Sequence, residues 1–159
     1  MYKKLAITTL TVLGIQISAP TMAAGPAWSY GGDNGPAKWA DLSPDYAVCK
    51  NGKNQSPIDI DSSKAVKSDL PALKFAYQPI PLVIQDNGNT VIVPSDKAGT
   101  LTLGADSYKL VSFHYHSPSD ETIDGKHADL VIHLAHKNDK GKSVGVAVML
   151  NATDGATDP

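Results

Sequence analysis

Val83-Ile84-Gln85-Asp86-Asn87-Gly88-Asn89-Thr90-Val91-Ile92-Val93 sets two β-prone runs on either side of an Asn-Gly pair. Asn-Gly supplies the positive φ angles of a tight hairpin turn, so the stretch reads as two antiparallel strands. Asp86 and Asn89 are also turn formers, which leaves room for a longer loop. Working outward, Leu73 to Tyr77 alternates apolar and polar residues and reads as a strand. Further strands are expected at Thr100 to Leu103, Ser107 to His116, Leu130 to His136 and Val144 to Leu150. Pro57 to Ile60 forms a short segment, and one weak helical candidate spans Ala65 to Leu70. No long segment carries a 3.6-residue period. The expected class is mainly β, with a central, largely antiparallel sheet and short helical turns.

The chain has 159 residues, 42% of them hydrophobic, enough for one domain with a core. All 14 basic residues are lysines, and the net charge is -2. A nucleic-acid surface would call for a basic stripe, usually with arginine, so that class of partner is not expected. Lys3 and Lys4 precede a mostly apolar run from Leu5 to Ile17, and Ser18 to Ala24 is small. That layout is a secretory signal peptide over residues 1–24, with a mature domain over 25–159. The apolar run is too short to span a bilayer, so no membrane anchor is expected after its removal. The expected location is periplasmic or secreted. Without Lys3 and Lys4, 12 lysines face 16 acidic residues, a mature charge of -4. Gly25 to Lys53, rich in Gly, Pro, Trp, Asp and Asn, reads as an ordered but irregular arm. Cys49 is the only cysteine, which is unusual for an exported chain, where cysteines usually pair.

All five histidines lie between positions 114 and 136. His114 and His116 alternate with Phe113 and Tyr115 and should share one face of a strand, their Cα atoms about 6.5 to 7 Å apart. The strand from Leu130 can fold back antiparallel and bring His133 beside them. Three neutral imidazoles suit Zn²⁺ and leave its fourth tetrahedral position open, as catalytic rather than structural sites do. A His-x-His pair also occurs on exposed strands and in cupin barrels, which add a glutamate where Glu121 stands. The glycine and proline spacing of cupins does not fit here.

Several motifs, in order, are similar to those of alpha-class carbonic anhydrases. They are Trp28 to Gly31, Asn34 to Pro36 with Trp39, Cys49 to Gly52, Gln55 to Ile60, Asp86 to Thr90, Phe113 to Ser119, and Gly125-Lys126 with His133 to Lys137. The resemblance runs from Trp28 to about Leu150. It implies a ten-stranded central sheet, a conical cleft, and zinc-dependent reversible hydration of carbon dioxide to bicarbonate and a proton. It places His114, His116 and His133 as zinc ligands. It gives Asp120 the place of the family's gatekeeping glutamate, orienting the hydrogen bonds around the reacting oxygen. Tyr30 and Asn87 match residues lining the polar network. His136 matches a buried structural histidine, His127 would be an exposed turn residue, and Gln55 and Ser56 would be scaffold.

Departures from the pattern bear on activity. Asn89 stands where the family has a proton-shuttling histidine, and Ser112 where it has a glutamine. Val131 replaces a glutamate two residues before the third ligand, and Glu121 replaces a histidine. The family continues well beyond position 159, so the resemblance implies that this is its N-terminal portion. It also implies that the partner of Cys49 and part of the carbon dioxide pocket lie in the missing portion. Open sheet edges and exposed apolar faces should follow. Two other readings stay open: a non-catalytic zinc-binding relative or truncated remnant, and a secreted β-sheet binding module.

Overall fold

The structure is a computed structural model, and it describes residues 27–86 and 88–153. The signal segment, Asn87 and the last six residues therefore lie outside the described residues. The chain divides into two compact units, Met1–Ala47 and Val48–Pro159. In the first, short 3-10 turns at Gly32–Asn34, Pro36–Lys38 and Pro44–Tyr46 flank helix α1, Trp39–Leu42. Pro36 and Pro44 each open a turn, where a missing amide hydrogen costs nothing. Trp39 Nε1 donates to the Ser29 and Asn34 carbonyls at 3.0 and 3.1 Å. Its ring meets Trp28 and Tyr30 edge-on.

The second unit begins with helix α2, Val48–Asn51, and its described residues hold ten strands. They are β1 Asp59–Ile60, β2 Lys74–Tyr77, β3 Gln85–Asp86, β4 Val91–Pro94, β5 Gly99–Leu103, β6 Asp106–His116, β7 Thr122–Ile123, β8 Lys126–His127, β9 Leu130–Lys137 and β10 Ser143–Leu150. Seven form one sheet in the order β10-β9-β6-β4-β3, with β5 also on β6 and β2 on β5. Every pairing in that sheet is antiparallel. The other three form a small sheet, β1-β7-β8. The larger sheet is the central, antiparallel one that the sequence leads one to expect. Among the described residues no helix is long and apolar enough to cross a membrane.

Strand β6 is the spine. One edge lies along β9, and the other is shared by β5 and then β4. A two-residue turn, Gly104-Ala105, joins β5 to β6, and Gly104 takes the positive φ of 61° that its first position requires. Leu101, Tyr108, Leu110, Val93 and Val131 are the buried apolar residues around this spine. Val111 is an extra residue in β6: Leu110 pairs with His136, but Ser112 already pairs with Ala135. The bulge changes which face each half of the strand presents. Tyr108 and Leu110 share a face with Phe113 and Tyr115, while His114 and His116 look the other way. Unbroken alternation would put the two histidines on the face of Tyr108 and Leu110. The Ser95 amide donates to the Val111 carbonyl at 2.8 Å, so the bulge stays tied to its neighbour.

Three local expectations change. The hairpin is narrower than its sequence: β3 holds only Gln85 and Asp86, and the loop is four residues long. Continuing the ladder would set Val83 against Pro94, which has no amide hydrogen to give. The Gly88 amide instead donates to the Asp86 carboxylate at 2.8 Å. Residues 65–70 are not helical. Pro71 disfavours the helical region at Leu70, and Val66 and Leu70 are 86% and 76% exposed, with no face to bury. His127 lies in β8 rather than in a turn, though it is exposed.

His136 is buried on the core face, its Nε2 2.6 Å from the Tyr77 hydroxyl and its ring stacked on that of Tyr77. Burial holds its pKa below the ordinary 6.5, while the nearby Val144 and Leu134 carbonyls pull weakly the other way. The unfolded chain therefore takes up a proton near 6.5 that the folded chain resists. This contribution to stability is full above that value and is lost as pH falls through the lower folded value. The urea midpoint should drop between about pH 8 and about pH 5, and His136→Gln should flatten part of that slope. An unchanged slope in the variant would refute the assignment. Leu101 is fully buried, and Leu101→Ala should cost about 2 to 5 kcal/mol in urea unfolding.

Candidate metal centre

The pairing of β6 with β9 sets His114 directly opposite His133 and His116 opposite Val131. Opposed residues of an antiparallel pair share a face, so the three histidines converge as their order along the strands requires. Ring centroids lie 4.9 Å apart for His114 and His116, 5.2 Å for His114 and His133, and 5.0 Å for His116 and His133. One nitrogen from each lies within 4.8 Å of the other two. Tetrahedral zinc with bonds of 2.0 to 2.1 Å needs its nitrogens about 3.4 Å apart, within reach of small side-chain rotations. The donor set therefore fits zinc.

His114 is half-buried, and that burial, reinforced by the neighbouring His116 and His133, pushes its pKa below the ordinary value. A neutral imidazole is the form that binds metal. Two carboxylates flank the group. Asp120 Oδ2 lies 3.4 Å from His116 Nε2. Glu121 places Oε1 and Oε2 at 2.9 and 3.0 Å from His133 Nε2. Burial, the largest single influence, would raise the Glu121 carboxyl, but the His133 hydrogen bond, a backbone hydrogen bond and the charges of His133 and His116 together outweigh it, and the net shift is downward. The oxygen acceptor is thus ionised.

His114 and His133 line a cleft of about 420 Å³. Its wall on the β10 side is Gly145 and Ala147, set by register against Ala135 and His133. Ser56, expected as scaffold, lines this cleft, whereas Gln55 does serve as scaffold, its amide donating to the Val48 and Gly52 carbonyls. Tyr30 belongs to the first unit, edge-on to Trp28 and Trp39. Asn87 lies outside the described residues. Cys49 is an exposed free thiol. The contact of Glu121 with His133 was not expected from sequence. The signal was present as a gain of acid at 121 beside its loss at 131, but only the fold brings the two ends together.

Residues 34–156 match the family model described as eukaryotic-type carbonic anhydrase. The chain is 36% identical over 148 residues to a carbonic anhydrase of Klebsiella pneumoniae, covering 92% of this chain and 57% of that one. It is 39% identical over 132 residues to one of Pectobacterium atrosepticum, covering 83% and 52%. The alpha-carbonic anhydrase from Thermovibrio ammonificans, solved with the inhibitor sulfanilamide, superposes with a TM-score of 0.76 at 37% identity, covering 82% of this chain and 57% of that one. The Photobacterium profundum alpha-carbonic anhydrase gives 0.74 at 33%, covering 82% and 58%. The chain spans about half the length of the curated relatives it matches.

Deleting Val111 removes the extra residue and restores strict alternation, so the buried pair Tyr108 and Leu110 and the pair His114 and His116 compete for one face. Zinc affinity in a chelator competition should fall at least about 100-fold, or the fold should be lost on circular dichroism. A folded deletion variant that still takes up zinc normally would refute the register.

Proposed function

The chain belongs to the eukaryotic-type carbonic anhydrase family, and from that premise we propose that it serves zinc-dependent, reversible hydration of carbon dioxide to bicarbonate and a proton. The observation that carries this reading is the convergence of His114, His116 and His133, two of which, His114 and His133, line a cleft. These three would hold the metal through one nitrogen each. Zinc held there would supply Lewis-acid chemistry and leave one coordination position open. The wall of Ala135, Gly145 and Ala147 adds no charged group and little bulk, which suits a small uncharged substrate. Asp120, beside His116, is the group proposed to orient hydrogen bonds at the reacting oxygen. Tyr30 and Asn87 enter this reading only through the resemblance. Export to the periplasm or beyond is part of the proposal and rests on the sequence of residues 1–24.

The names of the relatives favour this catalytic reading over a non-catalytic zinc-binding one. The proton must still leave. Asn89 cannot titrate near neutral pH, so it cannot relay one, and solution buffer is the proposed acceptor.

Stopped-flow hydration of carbon dioxide by the purified zinc-loaded chain should be detectable and should rise with added imidazole. Asn89→His should reduce that dependence on imidazole. His114→Ala should lower hydration by at least about 100-fold together with zinc uptake. Stoichiometric zinc with no hydration at any buffer concentration would instead favour the non-catalytic relative.

A further inference from the structure

We infer that Glu121 is the positioning residue of His133, supplying from the β7 hairpin the carboxylate that β9 no longer carries. The inference rests on the reading of His114, His116 and His133 as zinc ligands.

Position 131 is filled by a fully buried valine, opposite His116 in register, so no acid reaches His133 from its own strand. The Glu121 carboxylate takes that part, with both oxygens within 3.0 Å of His133 Nε2. With Nε2 donating to Glu121, Nδ1 is the nitrogen left to face a metal. Glu121 is not one of the cluster whose ligand atoms lie within 4.8 Å of one another, so it is a partner of a ligand rather than a fourth ligand. This separates the site from a cupin-type set, in which the glutamate itself coordinates.

The backbone that presents Glu121 is fixed from several sides. Ser119 is 1% exposed. Its hydroxyl donates to the Glu121 carbonyl at 2.6 Å and accepts from the Ala128 amide at 2.9 Å. His127 Nδ1 lies 2.6 Å from the Ser119 carbonyl and donates to it. The next residue, Thr122, donates its amide to the Ile58 carbonyl and its hydroxyl to Asp59. The hairpin closes through Asp124 and Gly125, whose φ values of 50° and 74° are those of a two-residue turn. The Asp124 carboxylate in turn accepts from the Ser62 amide and hydroxyl at 2.8 and 2.7 Å. A carboxylate delivered on so constrained a turn arrives already oriented. Partners of this kind fix a ligand's tautomer and ring plane, and losing one typically costs about 10- to 100-fold in metal affinity, a range drawn in part from carbonic anhydrase itself.

The test compares the purified full chain with Glu121→Ala, Glu121→Gln and the exchange Glu121→His with Val131→Glu, each confirmed folded by circular dichroism. Zinc affinity is read by chelator competition, and the His133 ring by ¹⁵N resonances of the zinc-loaded protein. Glu121→Ala should weaken zinc about 10- to 100-fold and move the Nε2 signal, with Glu121→Gln in between. The exchange should recover much of the loss. Because it places an acid in a buried site it serves only as rescue, and the two single variants decide. Zinc affinity within twofold of the parent chain in both, with an unchanged ring signal, would overturn the inference alone. A parent chain that takes up no zinc would overturn the ligand reading as well. Cobalt spectra that show a lost ligand in Glu121→Gln would make Glu121 a ligand and overturn the positioning role.

Discussion

The antiparallel pairing of Asp106–His116 with Leu130–Lys137 is the constraint on which the rest of the second unit depends. It fixes His133 beside His114, and in the same ladder it fixes His136 beside Leu110. One pair lies on the cleft face and the other on the core face. The strand between them could not serve both with unbroken alternation. Val111 resolves the conflict by adding one residue on one side only, so a single long strand buries Tyr108 and Leu110 and still turns His114 and His116 away from them. The cost is one unpaired position, offset where the Ser95 amide takes up the Val111 carbonyl.

The same ladder explains the electrostatics. Burial, with two further imidazoles crowded beside it, makes His114 resist protonation. The acids that answer them come from the connection after β6 rather than from the ladder, since the strand positions beside the histidines are taken by Val131 and Ala147. That connection is not a slack loop. It pairs with Asp59–Ile60, the end of the motif Gln55 to Ile60, and so ties the site to a segment more than sixty residues earlier. Ser56 reaches the cleft for the same reason.

Much of this was legible in the sequence because strands announce themselves through alternation. β2, β5, β6, β9 and β10 lie within a residue or so of their expected bounds, and the His-x-His pair falls on one face as its spacing requires. What was not legible depends on partners far along the chain. The bulge at Val111 leaves no mark in composition, since valine suits any strand position. The helical reading of 65–70 failed because it lacked an apolar surface to cover, and β3 stopped short because of a proline on the strand opposite. The Asp124-Gly125 pair is of a type that closes tight hairpins. Glu121 could be seen as a departure from the family pattern, but its distance from His133 could not, since that is set by two turns and a small sheet rather than by spacing.

The carboxylate at 121 and the valine at 131 also bear on how such a site changes over generations. Against the family pattern each position alone reads as a loss, an acid absent from one and a histidine absent from the other, yet on the inferred role of Glu121 both bear on one imidazole. A lineage that removed the acid from 131 first would pass through a chain whose third histidine stood without a partner. One that introduced the acid at 121 first would bring two carboxylates to one partly desolvated place, where like charges disfavour each other. Either path gives the second substitution a value that depends on the first. If Glu121 serves His133 as inferred, the two positions are coupled, and counting them one by one scores as two defects what would be a single transfer.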